Sequence, residues 1–171
     1  MTERKAELAA QTWPDLVRST YGEVRAPLWR SLVAWSASPD VADEAVAEAF
    51  AQLLRRGAEV RDPSAWVWRT AFRIAAGDLH RRRSTAGRTG DDERIAAVGV
   101  SDRLPDQALD LVRALAQLSE QQRRCVALVD VAGHTAPSAA AVLGTTSATV
   151  RVQLMRARRR LRELLPEEDD R

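Results

Sequence analysis

Between Arg151 and Arg162 the chain sets six arginines, Arg151, Arg156, Arg158, Arg159, Arg160 and Arg162, without a single acid. A guanidinium group offers a planar fork of donors that fits phosphate oxygens and the outer edge of guanine, so the chemistry open to this segment is nucleic-acid binding. Acids crowd the tail instead, at Glu167, Glu168, Asp169 and Asp170. Separation of charge on this scale suits a basic binding element better than a uniformly solvated surface. Lys5 is the only lysine, and arginine supplies the other 25 of 26 basic residues. Genome composition can produce such a bias, so position must decide its meaning.

Other chemistry finds little support. His80 and His134 are the only histidines, neither stands in an ExxH or HExxH pattern, and no nucleophile has a plausible base nearby. Cys125 is the sole cysteine, which excludes an internal disulfide and a CxxC pair. No glycine-rich phosphate loop occurs. The expectation is a protein without catalytic residues, metal or cofactor. The formal net charge is only +2, no run of ~18 apolar residues occurs, and the opening Met1-Thr-Glu-Arg-Lys5 is polar, so a cytoplasmic protein without membrane contact of its own is expected.

The elements that must position the arginines are helical. Alternation of apolar and polar residues never lasts, whereas alanine and leucine fill segments whose apolar residues recur at three and four. The spacing predicts a helix from about Pro14 to Ala34, with Pro27 as a kink. A second opens with Ser38 as N-cap and Pro39 at its first position, and stops at Gly57. A third runs from Asp62-Pro63 to Arg81-Arg-Arg83. Residues 84–104 are polar and glycine-bearing and read as a linker. Helices over Pro105–Gln117 and Ser119–Ala132 follow, the latter with Ser119 and Gln122 as a capping box. The fold class is therefore all-α: two small helical domains, residues 10–83 and 105–166, on a flexible linker.

The last two elements carry the function. Thr135 can cap a short helix, Ala136–Leu143, closed by Gly144, and a long helix from Ser147 to about Leu165 follows. Short helix, glycine turn and longer helix make a helix-turn-helix. Steps of 100° put Val150, Leu154, Ala157, Leu161 and Leu164 on one face and Val152, Met155, Arg156 and Arg159 opposite, with Arg151 and Gln153 at the flank. An outward Val152 and Met155 suit contacts with thymine methyls.

Leu118-Ser-Glu-Gln-Gln-Arg-Arg-Cys-Val-Ala-Leu128, Gly133, Ala140, Leu143-Gly144, Thr149-Val150-Arg151 and Leu154-Met-Arg-Ala-Arg-Arg-Arg-Leu161 resemble region four of the bacterial extracytoplasmic-function sigma factors. Asp40-Val-Ala-Asp-Glu-Ala-Val-Ala-Glu-Ala-Phe50 is similar to the polymerase-binding helix of region two, and Trp66-Val-Trp-Arg-Thr-Ala-Phe-Arg-Ile-Ala75 to its aromatic, basic helix that engages the melted promoter. The resemblance spans about Pro14 to Leu165. It implies a protein that binds core RNA polymerase, through the β′ clamp helices and the β flap, and directs promoter recognition and opening. Asp43, Glu44, Ala47, Glu48 and Gln52 would meet polymerase. Arg61, Trp66, Trp68, Arg69, Arg73 and Arg81 would hold the minus-ten element, with the loop of residues 55–62 capturing an unstacked base. Thr149, Arg151, Val152, Gln153, Met155, Arg156 and Arg159 would read the minus-thirty-five element. Arg82, Arg83, Arg158 and Arg160 could steer phosphates. Many members of the family are held by an anti-sigma factor, which joins polymerase and promoter DNA among the implied partners.

Some positions depart from the family pattern. Ala47 stands where Gln is usual, Arg73 near a usual Asn, and Gly77 near a usual Asp; Pro137, Ser138 and Ala139 replace a small residue, Glu and Ile. Val152, Gln153 and Met155 replace commoner polar, basic or aromatic residues, so the promoter sequence cannot be borrowed from a relative. The altered N-terminal positions leave a competing reading, a stand-alone helix-turn-helix regulator that no longer binds polymerase.

Overall fold

Proline and a polar cap open helix after helix in the computed structural model, which describes residues 12–85 and 105–165. Helix α1 spans Trp13–Ser36 and carries Pro27 within it. Helix α2 (Pro39–Arg56) starts where the Ser38 hydroxyl accepts the Val41 N–H at 3.3 Å, and a 3₁₀ turn (Gly57–Glu59) follows it. Helix α3 (Pro63–Thr85) begins where Asp62 accepts the Ala65 N–H at 2.9 Å. It ends beyond the sequence expectation: Ser84 and Thr85, assigned to the linker, are still helical. The rest of the expected linker lies outside the described residues.

Helix α4 covers Asp106–Ala116 and α5 covers Glu120–Val126, opened by the expected Ser119–Gln122 capping box. The helix expected to reach Ala132 runs unbroken to Val131, but its last five residues change register. From Ala127 to Val131 the backbone widens into a π turn, with Ala132 N–H bonded to the Ala127 carbonyl at 3.1 Å. Helix α6 (Ala136–Leu143) is capped by Thr135, and α7 (Ser147–Leu164) by Thr146, whose hydroxyl accepts the Thr149 N–H at 3.1 Å. Between them Gly144 takes φ +65°, a left-handed conformation that costs an L side chain about 1–2 kcal/mol.

One apolar cluster runs through both halves of the chain. Leu28, Leu32 and Trp35 of α1, Leu53 of α2 and Val67 and Phe72 of α3 belong to the same buried cluster as Leu115, Leu128, Ala139 and Val150. Helix α1 packs on the π turn and α3 packs on α6. Burial of apolar surface is the driving force, and here it joins the halves as well as building each. Among the described residues, no helix is long and apolar enough to cross a membrane.

Candidate nucleic-acid interface

Helix α7 stands on three inward side chains, Val150, Leu154 and Ala157, all buried against α5 and α6. That inward stripe turns Arg151, Arg156 and Arg159 outward, all exposed and none in an ion pair with another described residue. Val152 and Met155 share the exposed side, Met155 with 64% of its surface open. Together they put two apolar side chains among the outward arginines, a combination that suits a groove floor. Thr149 is half-buried, its hydroxyl 2.9 Å from that of Thr146.

Three residues of this helix are less free than the sequence implies. The Gln153 amide donates to Gln121 of α5 at 3.3 Å. Arg158 grips Asp130 of the π turn with two bonds, 2.6 and 3.2 Å, and Asp130 raises the basicity of the guanidinium further. Arg160 pairs with Glu163 at 2.9 Å. Of the arginines expected to steer phosphates, Arg158 and Arg160 are therefore engaged inside the protein, because an acid sits within reach of each.

On α3 the exposed Arg69 and Arg73 and the half-buried Trp66 line an open cleft together with Arg56. Its far wall is the end of α6, Ala141–Gly144, with Arg124 behind. Arg61 lies in a smaller adjoining recess with Arg56, Trp66 and Arg69, formed by the residue 56–62 loop. Arg56 and Arg124 were not picked out from the sequence; only the packing of α6 on α3 brings Arg124 here. Trp68 does not join them. It is buried, 6.2 Å from the Phe72 ring and edge-on to His134 at 4.4 Å. Arg81 and Arg82 both bond to the nearly buried Asp78, at 3.2 and 2.6 Å. Their spacing of three and four from Asp78 on one helix was a legible signal. Arg83 reaches Glu120 of α5 at 3.1 Å. Burial pushes the Glu120 carboxyl up, but Arg83 and Arg124 outweigh it and hold the group below the usual range.

A polar face lies on α2, away from the α5–α7 elements. Glu44 and Ala47 are exposed, while Asp43, Glu48 and Gln52 are half-buried. The Trp29 indole donates to Asp43 at 2.8 Å, and Gln52 and Arg55 both donate to Glu48, at 2.8 and 2.9 Å. These bonds, the Gln52 one foremost, hold the Glu48 carboxyl below its ordinary value.

Residues 108–161 match the family described as "Sigma-70, region 4". The chain is similar to "ECF RNA polymerase sigma factor SigM" of Mycobacterium tuberculosis, 30% identical over 133 residues that cover 76% of this chain and 67% of that protein. It belongs to the extracytoplasmic-function RNA polymerase sigma factors. Members of this family associate with core RNA polymerase and direct it to promoters, so this chain is an alternative sigma factor. Two solved structures share the all-helical fold. One is "Structure of CnrH in complex with the cytosolic domain of CnrY", with TM-score 0.66, 22% identity, and coverage of 90% of this chain and 89% of that one. The other is the sigma factor RpoE in complex with the anti-sigma factor NepR from Bartonella quintana, with TM-score 0.66, 21% identity, and coverage of 88% and 97%.

Proposed function

We propose that this sigma factor reads the minus-thirty-five element with the outward side of α7, through Thr149, Arg151, Val152, Gln153, Met155, Arg156 and Arg159. The observation that carries the reading is that Arg151, Arg156 and Arg159, in no ion pair with another described residue, stand beside exposed Val152 and Met155 on a helix whose other side is buried. Arginine can hold guanine bidentately and the apolar pair can meet thymine methyls, each good bidentate contact contributing roughly 1–3 kcal/mol of discrimination. Arg151, nearest the helix N-terminus, is where a recognition helix meets base edges.

The minus-ten strand falls to α3 and the loop before it: Arg61, Trp66, Arg69 and Arg73, with Arg81 at the far end and Trp68 once uncovered. Aromatic stacking and arginine–phosphate contacts suit a melted strand. Core polymerase would dock on the α2 face of Asp43, Glu44, Ala47, Glu48 and Gln52. The expected modules, residues 10–83 and 105–166, act about a linker that starts only after Thr85. The protein works in the cytoplasm as a non-enzymatic transcription factor. One solved neighbour is the sigma factor RpoE in complex with the anti-sigma factor NepR, which supports an anti-sigma factor as a further partner.

The test is transcription by sigma-free bacterial core polymerase on fragmented genomic DNA from the host, with the purified chain added. Defined starts sharing two spaced upstream elements are expected. Duplex binding without any starts would instead support a regulator that has lost polymerase.

A further inference from the structure

Gln153 stands at the edge of the outward side of α7, half-buried, and its Nε2 donates to the Oε1 of Gln121 on α5 at 3.3 Å. Gln121 is exposed, and 32 positions separate the two amides. Helix α5 is a firm mount. Ser119 and Gln122 close a capping box around its first turn, and Cys125 and Val126 are buried one turn on. Because α5 packs directly on α7, the Gln121 oxygen is presented to Gln153 from an ordered backbone.

A glutamine amide has one oxygen acceptor and two N–H donors on a single nitrogen. Presented edge-on it sets a donor beside an acceptor, which matches N7 and N6 of adenine; presented by its nitrogen alone it gives two donors, which suit N7 and O6 of guanine. A free glutamine can do either. The bond to Gln121 occupies one of the two donors, so Gln153 keeps one N–H and its oxygen for the groove. That remainder matches adenine and no longer supplies two donors to guanine. A side chain already held also gives up less rotamer freedom when it meets a base than a loose one does.

Resting on the proposed readout by α7, we propose that Gln121 is a positioning residue for that readout: from α5 it holds the Gln153 amide so that the edge left for the groove selects adenine over guanine. Gln121 lies outside the two helices of the helix-turn-helix, and only the packing of α5 on α7 brings it to the reading side.

The test is the base preference of the full chain, alone and with core polymerase, selected from a duplex pool randomised across the upstream element. The parent should favour adenine over guanine at one position by roughly 5- to 150-fold, the range of one good bidentate contact. Gln153→Ala should abolish that preference and no other. Gln121→Met keeps the side-chain length and loses the amide oxygen, so it should lower adenine over guanine at the same position by about threefold or more, leaving the other positions as in the parent. Adding Gln153→Ala to it should remove no more than Gln153→Ala removes alone. Gln121→Glu keeps an acceptor and has no donor, so it should retain the adenine preference while its charge weakens binding to all sequences alike. A uniform loss in Gln121→Met, an unchanged preference, a different preferred base at the Gln153 position, or a loss that Gln121→Glu does not restore would each overturn the proposal. Arg151→Ala separates this from the reading beneath it. If Arg151→Ala shifts a preference and Gln153→Ala does not, α7 still reads the element and the role of Gln121 is refuted; if neither does, α7 is not the reader and both are refuted.

Discussion

His134 meets Trp68 edge-on, ring centroids 4.4 Å apart and planes 85° apart, across 66 positions of sequence. The His134 Nδ1 lies 2.7 Å from the Ser138 hydroxyl, and burial lowers the imidazole below its ordinary 6.5. The packed state therefore prefers neutral imidazole. Above about pH 6.5 both packed and unfolded chains are neutral there and nothing changes; as pH falls through about 6.5 the unfolded chain takes the proton first, and stability drops until the lowered folded value is passed. Urea midpoints from about pH 8 to about pH 5 should decline in that window, and His134→Gln should flatten this part of the decline. An unchanged profile in the variant would remove His134 from the account.

Arg158 and Arg159 are neighbours with opposite duties. Arg158 is bonded to Asp130 and Arg159 is exposed. Arg159→Ala should reduce the slope of log affinity against log salt by about 1, whereas Arg158→Ala should leave the slope and lower folding stability by up to about 1 kcal/mol. Equal changes in slope would show that the Asp130 contact opens on DNA.

Base readout separates from folding at Arg151. Arg151→Ala should cost roughly 1–3 kcal/mol on the cognate duplex, little on mixed-sequence DNA, and nothing measurable in thermal unfolding. Binding titrations across single-base promoter variants check it; parallel losses on every sequence would mark Arg151 as a phosphate contact.

Charge reversal on α2 tests polymerase docking. Glu44→Lys with Glu48→Lys should lower capture by core polymerase while leaving low-salt duplex binding through α7 intact. Glu48 loses its bonds with Gln52 and Arg55, which leaves the buried side of α2 untouched. Undiminished capture would move the docking surface elsewhere.

Leu128 has no exposed surface and lies in the π turn that packs on α1. Leu128→Ala should destabilise the chain by about 2–5 kcal/mol, because the cavity adds to the lost burial. Denaturant unfolding measures it, and a loss below about 1 kcal/mol would show that Leu128 does not carry the packing of the π turn on α1.

What the sequence by itself determined is local. Ser38, Ser119 and Thr135 cap their helices as their side chains require, Gly144 makes the turn, and the three-and-four spacing of Val150, Leu154 and Ala157 sets the outward face of α7. Such features depend on hydrogen bonds and periodicity within a few residues, so a linear reading reaches them. Tertiary structure alone decided which outward residues are free. Arg158 finds Asp130 28 positions away, Gln153 finds Gln121 32 positions away, and Trp68 is buried beneath His134. No periodicity encodes these pairs, since each arises only when apolar burial brings one helix against another. The same packing made one core of two expected modules, because Trp35, Trp68 and Leu128 remove more apolar surface from water together than apart.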